Sequence, residues 1–210
     1  MKKINILGCG GHARSVADVI YRIDGNTKIV FYDTNAKEGE SIFNEWGGYR
    51  VYTLEKISND TNESPLFIAI GDNNKRKEYV HKYKQKNTSI NVISPEAKMS
   101  FFSNIGIGNF IANMAYIGPD VHIGNYNIIN TSSVIEHEVQ IGDYSHISDN
   151  STICGKCRIG SNVFLGAGAV VIDKISICDN VIIGANSVVV DNIYDSGVYV
   201  GNPAKYVRSI

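Results

Sequence analysis

Residues 105–146 read IGIGNF IANMAY IGPDVH IGNYNI INTSSV IEHEVQ IGDYSH when cut into sixes, and every block opens on isoleucine. A helix repeats every 3.6 residues and a strand every 2, so a period of six needs another origin. The phase extends without insertion from Ile93 to Tyr194, which is 17 hexads, and the first position is Ile, Leu, Val or Met in all of them. A composition that is 43% hydrophobic does not produce that by chance. The fifth position is mostly small or apolar (Ala97, Ala115, Val121, Ser133, Val139, Ser145, Cys157, Val163, Ala169, Val181), and the second is often glycine.

Self-similarity at a fixed period marks a solenoid whose units bury their apolar face only by stacking on neighbours. Hexads suit a triangular coil of three short strands. First-position aliphatics fill the interior, small fifth-position residues let the chain pass the corner, and Gly and Asn are expected to make the bends. Between five and six coils result, about 25 Å tall at roughly 4.8 Å per strand spacing. Cys154 and Cys157 spell C-x-x-C, but Cys157 falls on an inward fifth position, so packing explains it better than metal or redox chemistry.

Before the hexads the pattern changes. KINIL at residues 3–7 reads as a buried strand, followed by the glycine-rich GCGGHA and a helical ARSVADVIYRI. A second strand, KIVFY, ends at Asp33; a third, PLFIAI, leads into GDN and the polar helix NNKRKEYVHKYKQK. Strands alternating with helices indicate a small parallel α/β unit. The chain therefore divides into an α/β domain over 1–88 and a β-helix over 89–210. Gly8, Gly10 and Ala13 fit G-x-G-x-x-G/A, with Asp33 about 20 residues on. Glycines there let a phosphate approach backbone N–H groups at a helix N-terminus, and the carboxylate takes a ribose hydroxyl. The alternative is a tight turn that simply requires glycine. Too little chain precedes the hexads for a complete dinucleotide domain, which favours a nucleotide-linked ligand over NAD.

A net charge of −1 in 210 residues gives no reason to expect nucleic acid or anionic membrane as partner. No apolar run approaches the roughly 20 residues of a membrane span. The apolar part of MKKINILGCGG is too short for a secretory signal, so a cytoplasmic location is expected.

The whole chain resembles the PglD/NeuD-type bacterial sugar O-/N-acyltransferases of the hexapeptide-repeat superfamily. The resemblance rests on GCGGHARSV, FYD, AIGDNNKRK, NTSSVIEHE with the downstream YSHIS, and VGNPAK. It implies a Rossmann-like domain followed by a left-handed parallel β-helix; the left hand is taken from the resemblance, since parallel crossovers are otherwise right-handed. It further implies acetyl-CoA as co-substrate, no metal, a homotrimer with the acetyl-CoA groove between prisms, and a role in lipopolysaccharide or O-antigen biosynthesis. The match is nearest to members that acetylate the 4-amino group of UDP- or dTDP-linked 4-amino-4,6-dideoxy sugars. Sialic acid O-acetylating members can lack a histidine equivalent to His146, so His146 favours the amine branch.

By the same resemblance His137 is the general base, His146 lies near the thioester, Asn130 is a further polar site residue, and the Gly155 N–H supports the thioester oxygen. Ala167 and Ala185, one coil apart, line the coenzyme A groove. Apart from the resemblance, Lys205 and Arg208 near the C-terminus are either contacts for its phosphates or plain solvated residues. Gly8, Gly10, Gly11, His12, Asp33, Gly71, Asn73 and Arg76 fall on the nucleotide-sugar side. The chemistry is consistent with these parts: an attacking amine sheds a proton that an imidazole can take, and the oxyanion needs donors fixed in advance. A carboxylate should orient the imidazole. Glu138 is the first candidate and Glu136 the second, although Glu138 reaches His137 only where a corner bends the backbone, because strand neighbours point to opposite faces. His122 and His81 read as surface residues. Two rival functions are a zinc enzyme of the γ-carbonic anhydrase kind, using His122, His137 and His146, and a non-enzymatic nucleotide-sugar-binding scaffold. Sugar O-acetylation competes within the transferases.

Overall fold

The structure is a computed structural model and describes residues 2–37, 39–46, 48–57 and 64–210. It divides into two compact units at Val92/Ile93, a few residues after the expected 88/89. Among the described residues no helix is long and apolar enough to cross a membrane.

The first unit is built on β1 (Lys3–Leu7), α1 (Gly11–Ile23), β2 (Lys28–Asp33), β3 (Ser41–Ile42), β4 (Tyr49–Thr53), β5 (Leu66–Ile68) and α2 (Asn73–Lys82). The sheet order is β3-β4-β2-β1-β5, parallel except for the β3–β4 pair. The sequence reading missed β3 and β4. YRVYT carries an exposed arginine and only one buried residue, so its apolar signal is weak. Helix α1 buries Ala13, Val16, Ala17, Val19 and Ile20, the stripe a 3.6 period requires.

The second unit is the left-handed parallel β-helix. Each coil contributes one short strand, mostly of two residues, to each of three sheets, with partners 18 residues apart, for instance Ile117↔Ile135 and Ile135↔Ile153. Face 1 includes Phe110–Ile111, Ile128–Ile129, His146–Ile147, Phe164–Leu165 and Val181–Ile183. Face 2 runs from Lys98–Met99 through Tyr116–Ile117, Val134–Ile135, Thr152–Ile153 and Val170–Val171 to Val188–Val189. Face 3 holds Asn104–Ile105, His122–Ile123, Gln140–Ile141, Arg158–Ile159 and Ser176–Ile177. First-position aliphatics from Ile111 to Val189 are buried in one continuous core, and Cys157 joins them. Each fully buried isoleucine contributes roughly 1.5–3 kcal/mol.

The corners differ from expectation. They bend at the fourth position of the hexad, through a left-handed backbone, and most of the residues there are neither Gly nor Asn. Met114, Asp120, Tyr126, Ser132, Glu138, Tyr144, Lys156 and Lys174 all have φ between 54° and 63°. Such a conformation costs an L-residue about 1 kcal/mol or more, a cost the stacked core must offset. Glycine is needed elsewhere. At the corner between faces 3 and 1, a Cβ on Gly124 or Gly160 would meet the Oδ1 of Asp143 or Asp179 in the next coil. Those carboxylates accept the backbone N–H groups of Asn125 and Ser161, both at 2.7 Å. The recurring I-G-(N/D/S) is thus a side-chain ladder that caps each turn.

The outward sixth positions divide by face. Face 3 presents Asn104, His122, Gln140 and Arg158, all exposed. Face 1 presents His146, Phe164 and Ile182, Ile128 being buried, and face 2 presents Tyr116, Val134, Thr152, Val170 and Val188. One outer face is polar and two are largely apolar.

Candidate active site

His137 occupies the third position of its hexad, at the corner between faces 2 and 3. Because Glu138 has φ 59°, the backbone turns there and swings its carboxylate back onto the histidine. His137 Nδ1 lies 2.9 Å from Glu138 Oε2. The His137 hydrogen bond, aided by the nearby Lys156 ammonium (Nζ at 3.7 Å), holds the Glu138 carboxyl below the usual carboxylate range. An ionised carboxylate only accepts, so Nδ1–H donates, and in the neutral ring Nε2 keeps its lone pair. The His137 side chain is 50% exposed, so the imidazole is open to the surface. Glu138, rather than Glu136, is the residue that meets the imidazole.

One coil on, Gly155 lies directly beneath this ring. A Cβ built on it would stand 2.5 Å from His137 Cε1 and 2.6 Å from Nε2. The Lys156 N–H bonds His137 O at 3.0 Å and sets the approach. In the ladder between faces 3 and 1 the third-position N–H groups are taken by side chains; among the described residues the Gly155 N–H makes no such bond.

The other β-helix residues anticipated from sequence stand elsewhere. Asn130, at the corner between faces 1 and 2, donates from Nδ2 to Asp149 Oδ2 at 3.1 Å. His146 projects from face 1 and packs edge-on against Phe164, with ring centroids 5.2 Å apart. Ala167 and Ala185 stack on the Asn130 corner and are exposed, above and below one another as their spacing implied. Lys205 lies on the last strand, 3.9 Å from Asp191. One prism therefore carries two separate groups, His137–Glu138–Gly155 on one edge and Asn130, His146, Ala167 and Ala185 on another edge and its adjoining face. His122 projects from face 3, so His122, His137 and His146 do not converge within one chain, and no metal-holding group of three or more His, Cys, Asp or Glu is present among the described residues.

In the first unit Gly8, Gly10, Gly11, His12, Asp33 and Gly71 line one cleft at the ends of β1 and β5. Gly8 has φ +112° and a Cβ there would meet Ala69 O at 2.7 Å, so the turn itself requires glycine. Nothing lies within 4 Å of a Cβ on Gly10 or Gly11, so these two leave open space. Asp33 closes the loop by accepting the Cys9 N–H (3.1 Å) and the Asn35 N–H (2.9 Å). Burial, reinforced by Asp33, pushes the Cys9 thiol up to about 11, which leaves it protonated and unreactive at neutral pH. Asn73 and Arg76 do not line the cleft. Arg76 is 2% exposed and donates to the Ile70 and Gly71 carbonyls and to Asn73 Oδ1, at 2.9, 3.1 and 2.7 Å. It holds the strand-to-helix turn. Lys75 and Tyr79 line the cleft instead; their i, i+4 spacing after Gly71 was the available signal.

Residues 3–83 match the family model of the PglD N-terminal domain, and residues 156–191 match the bacterial transferase hexapeptide model of six repeats. A point variant of perosamine N-acetyltransferase from Caulobacter crescentus, solved with CoA and GDP-perosamine, is 32% identical; the match covers 99% of this chain and 97% of that one, with TM-score 0.87. The acetyltransferase domain of PglB from Neisseria gonorrhoeae FA1090 is 25% identical over 99% of this chain and 100% of its own, with TM-score 0.90. WeeI from Acinetobacter baumannii AYE, 21% identical, shares the fold over 99% of this chain and 100% of its own at TM-score 0.86. No curated protein matches the chain. The fold, the hexapeptide family model and these acetyltransferase structures define a hexapeptide-repeat acyltransferase. Within that class the chain belongs to the PglD-type sugar acyltransferases.

Proposed function

We propose that this enzyme transfers the acetyl group of acetyl-CoA to the 4-amino group of a nucleotide-linked 4-amino-4,6-dideoxy sugar, in the cytoplasm, for a surface glycan such as lipopolysaccharide or O-antigen. The observation that carries the reading is the His137 Nδ1–Glu138 Oε2 contact of 2.9 Å on the family's IEHE motif. The 32% identical relative, itself a perosamine N-acetyltransferase solved with CoA and GDP-perosamine, supports a nitrogen acceptor. The nucleotide is UDP, dTDP or GDP, and the relative solved with GDP-perosamine supports GDP.

The amine attacks the thioester carbonyl while His137 Nε2 takes its proton. Glu138 stabilises the imidazolium through Nδ1–H. The Gly155 N–H donates to the carbonyl oxygen as charge builds on it. Collapse of the tetrahedral intermediate forms the amide and expels the coenzyme A thiolate, which takes up a proton. No acyl-enzyme is needed. The cleft of Gly8, Gly10, Gly11, His12, Asp33 and Gly71 holds the nucleotide of the acceptor.

The active assembly is a homotrimer. Two apolar outer faces and one polar face suit a closed ring built on the apolar faces. The ring that completes the site is one in which His146, Asn130, Ala167 and Ala185 of one copy meet the His137 edge of another, because one prism leaves the two groups divided. Light scattering in dilute, ligand-free buffer should give three times the 23.0 kDa chain mass; a fully active monomer would refute it.

Two nucleotide sugars identical except for amine or hydroxyl at C4 test the acceptor. Acetylation of the amine, read by mass spectrometry, should be the faster by a wide margin. Faster reaction of the hydroxyl compound or of free sialic acid would make the enzyme an O-acetyltransferase, and nucleotide binding without thiol release would make it a scaffold.

A further inference from the structure

The corner that carries His137 continues upward in strict register. Tyr116 pairs with Val134 and with Lys98, which sets Pro119 above His137 and Phe101 above Pro119. At about 4.8 Å per coil, Phe101 stands about 10 Å along the edge from the base. Phe101 is 103% exposed and Phe102 77%, and Pro119 between them and His137 is exposed too.

The turn that displays the two rings is tied from below. The Phe102 N–H donates to Ser100 Oγ at 3.1 Å, and Ser103 donates to Ser100 O from its N–H (3.2 Å) and from Oγ (2.7 Å). Phe102 is not among the left-handed fourth-position residues that bend the later corners. Scattered apolar residues on a surface are ordinary, whereas two adjacent, fully displayed phenylalanines on a catalytic edge point to a ligand or partner. In the opposite direction the edge is polar. Below Gly155 and Lys156 come Asp173 and Lys174, then Asp191 and Asn192.

We propose that Phe101 and Phe102, with Pro119, form the apolar wall of the acceptor site and select a sugar bearing a methyl group at C6 over one bearing hydroxymethyl. The proposal rests on the function given above. With the C4 nitrogen in hydrogen-bond reach of His137 Nε2, roughly 2.6–3.2 Å, C5 and its C6 substituent lie on the adjoining edge of the pyranose. Gly155, one coil down, is the thioester side. In this proposal C5 and its substituent, rather than C3, face up the edge, toward Pro119 and the two rings. A methyl group and the C–H face of the sugar fit those rings. A C6 hydroxyl pressed against them loses water without gaining a partner. Asp120, beside Pro119, is the polar flank of this wall and faces solvent.

The test compares wild type, F101A, F102A and the double variant on two 4-amino sugars carrying the same nucleotide and differing only at C6. Wild type should prefer the 6-deoxy sugar by roughly 10–200-fold in kcat/KM, the range one small apolar group supplies. The double variant should lose most of that preference through its rate on the 6-deoxy sugar. The KM for acetyl-CoA and the mass by light scattering should stay at wild-type values. A rate on the 6-hydroxymethyl sugar that is unchanged or higher shows that the variant is folded. A preference that survives in the double variant, or is absent from wild type, overturns the proposal. So does dissociation of the variants, which would make the pair a contact between copies. If wild type acetylates neither sugar, the parent function fails and this inference with it.

Discussion

His137→Ala should lower turnover by about 10²–10⁴-fold, the usual worth of a positioned general base. The side chain is half exposed and lies outside the coil interior, so its removal opens no cavity. Thermal stability should stay within the scatter of ordinary surface substitutions, about 0.5 kcal/mol, and acetyl-CoA affinity by calorimetry should match wild type. The pattern to look for is a loss in kcat with both substrates still bound. Turnover near the wild-type rate would remove His137 from the mechanism. A large drop in melting temperature would mean that the loss reflects unfolding.

Gly155→Ala should be nearly as damaging to the rate, by about 10²-fold, although the change adds a single methyl group. Its Cβ would stand 2.5 Å from His137 Cε1 and 2.6 Å from Nε2. A half-exposed ring can swing away from such a clash, so the fold survives while the base leaves its position, and a displacement of about 1 Å can cost that much. Gly142→Ala is the control. Its Cβ would meet Ser161 N at 2.8 Å and Gly160 C at 2.9 Å, backbone atoms that cannot move aside. That variant should melt at a lower temperature yet keep a normal rate per folded enzyme, measured by active-site titration. If Gly155→Ala behaved the same way, with lost stability and retained rate, Gly155 would be a packing residue only.

Some of this site was legible before any coordinates. His137 falls on a third position, which the hexad phase puts at a corner, and the IEHE motif carries the family resemblance. The contact with Glu138 was conditional on a bend, and φ 59° at Glu138 supplies it. Propensity argued for Gly or Asn at such bends, whereas glutamate, lysine and tyrosine accept the left-handed conformation here because the stacked coils over-determine the backbone. Arg76 shows the opposite case. The polar sequence NNKRKEYVHK offers no sign that one of its cations is buried, and Arg76 is buried because three oxygens of a neighbouring turn converge on its guanidinium.

The sequence by itself determined the β-helix, its phase and its interior, because each inward aliphatic is chosen by packing that repeats identically from coil to coil. It also determined the α/β unit before it, since glycine at a strand–helix turn and alternating apolar segments are local properties. Only the tertiary structure decided which side chains meet across coils. Gly155 lies under His137, Phe101 and Pro119 stand above it, and Asn130, His146, Ala167 and Ala185 fall on another edge and face. Those relations depend on side-chain directions at corners and on register between segments 18 residues apart. A repeat pattern specifies what points inward; it leaves the outer surface, where the chemistry lies, to three-dimensional stacking.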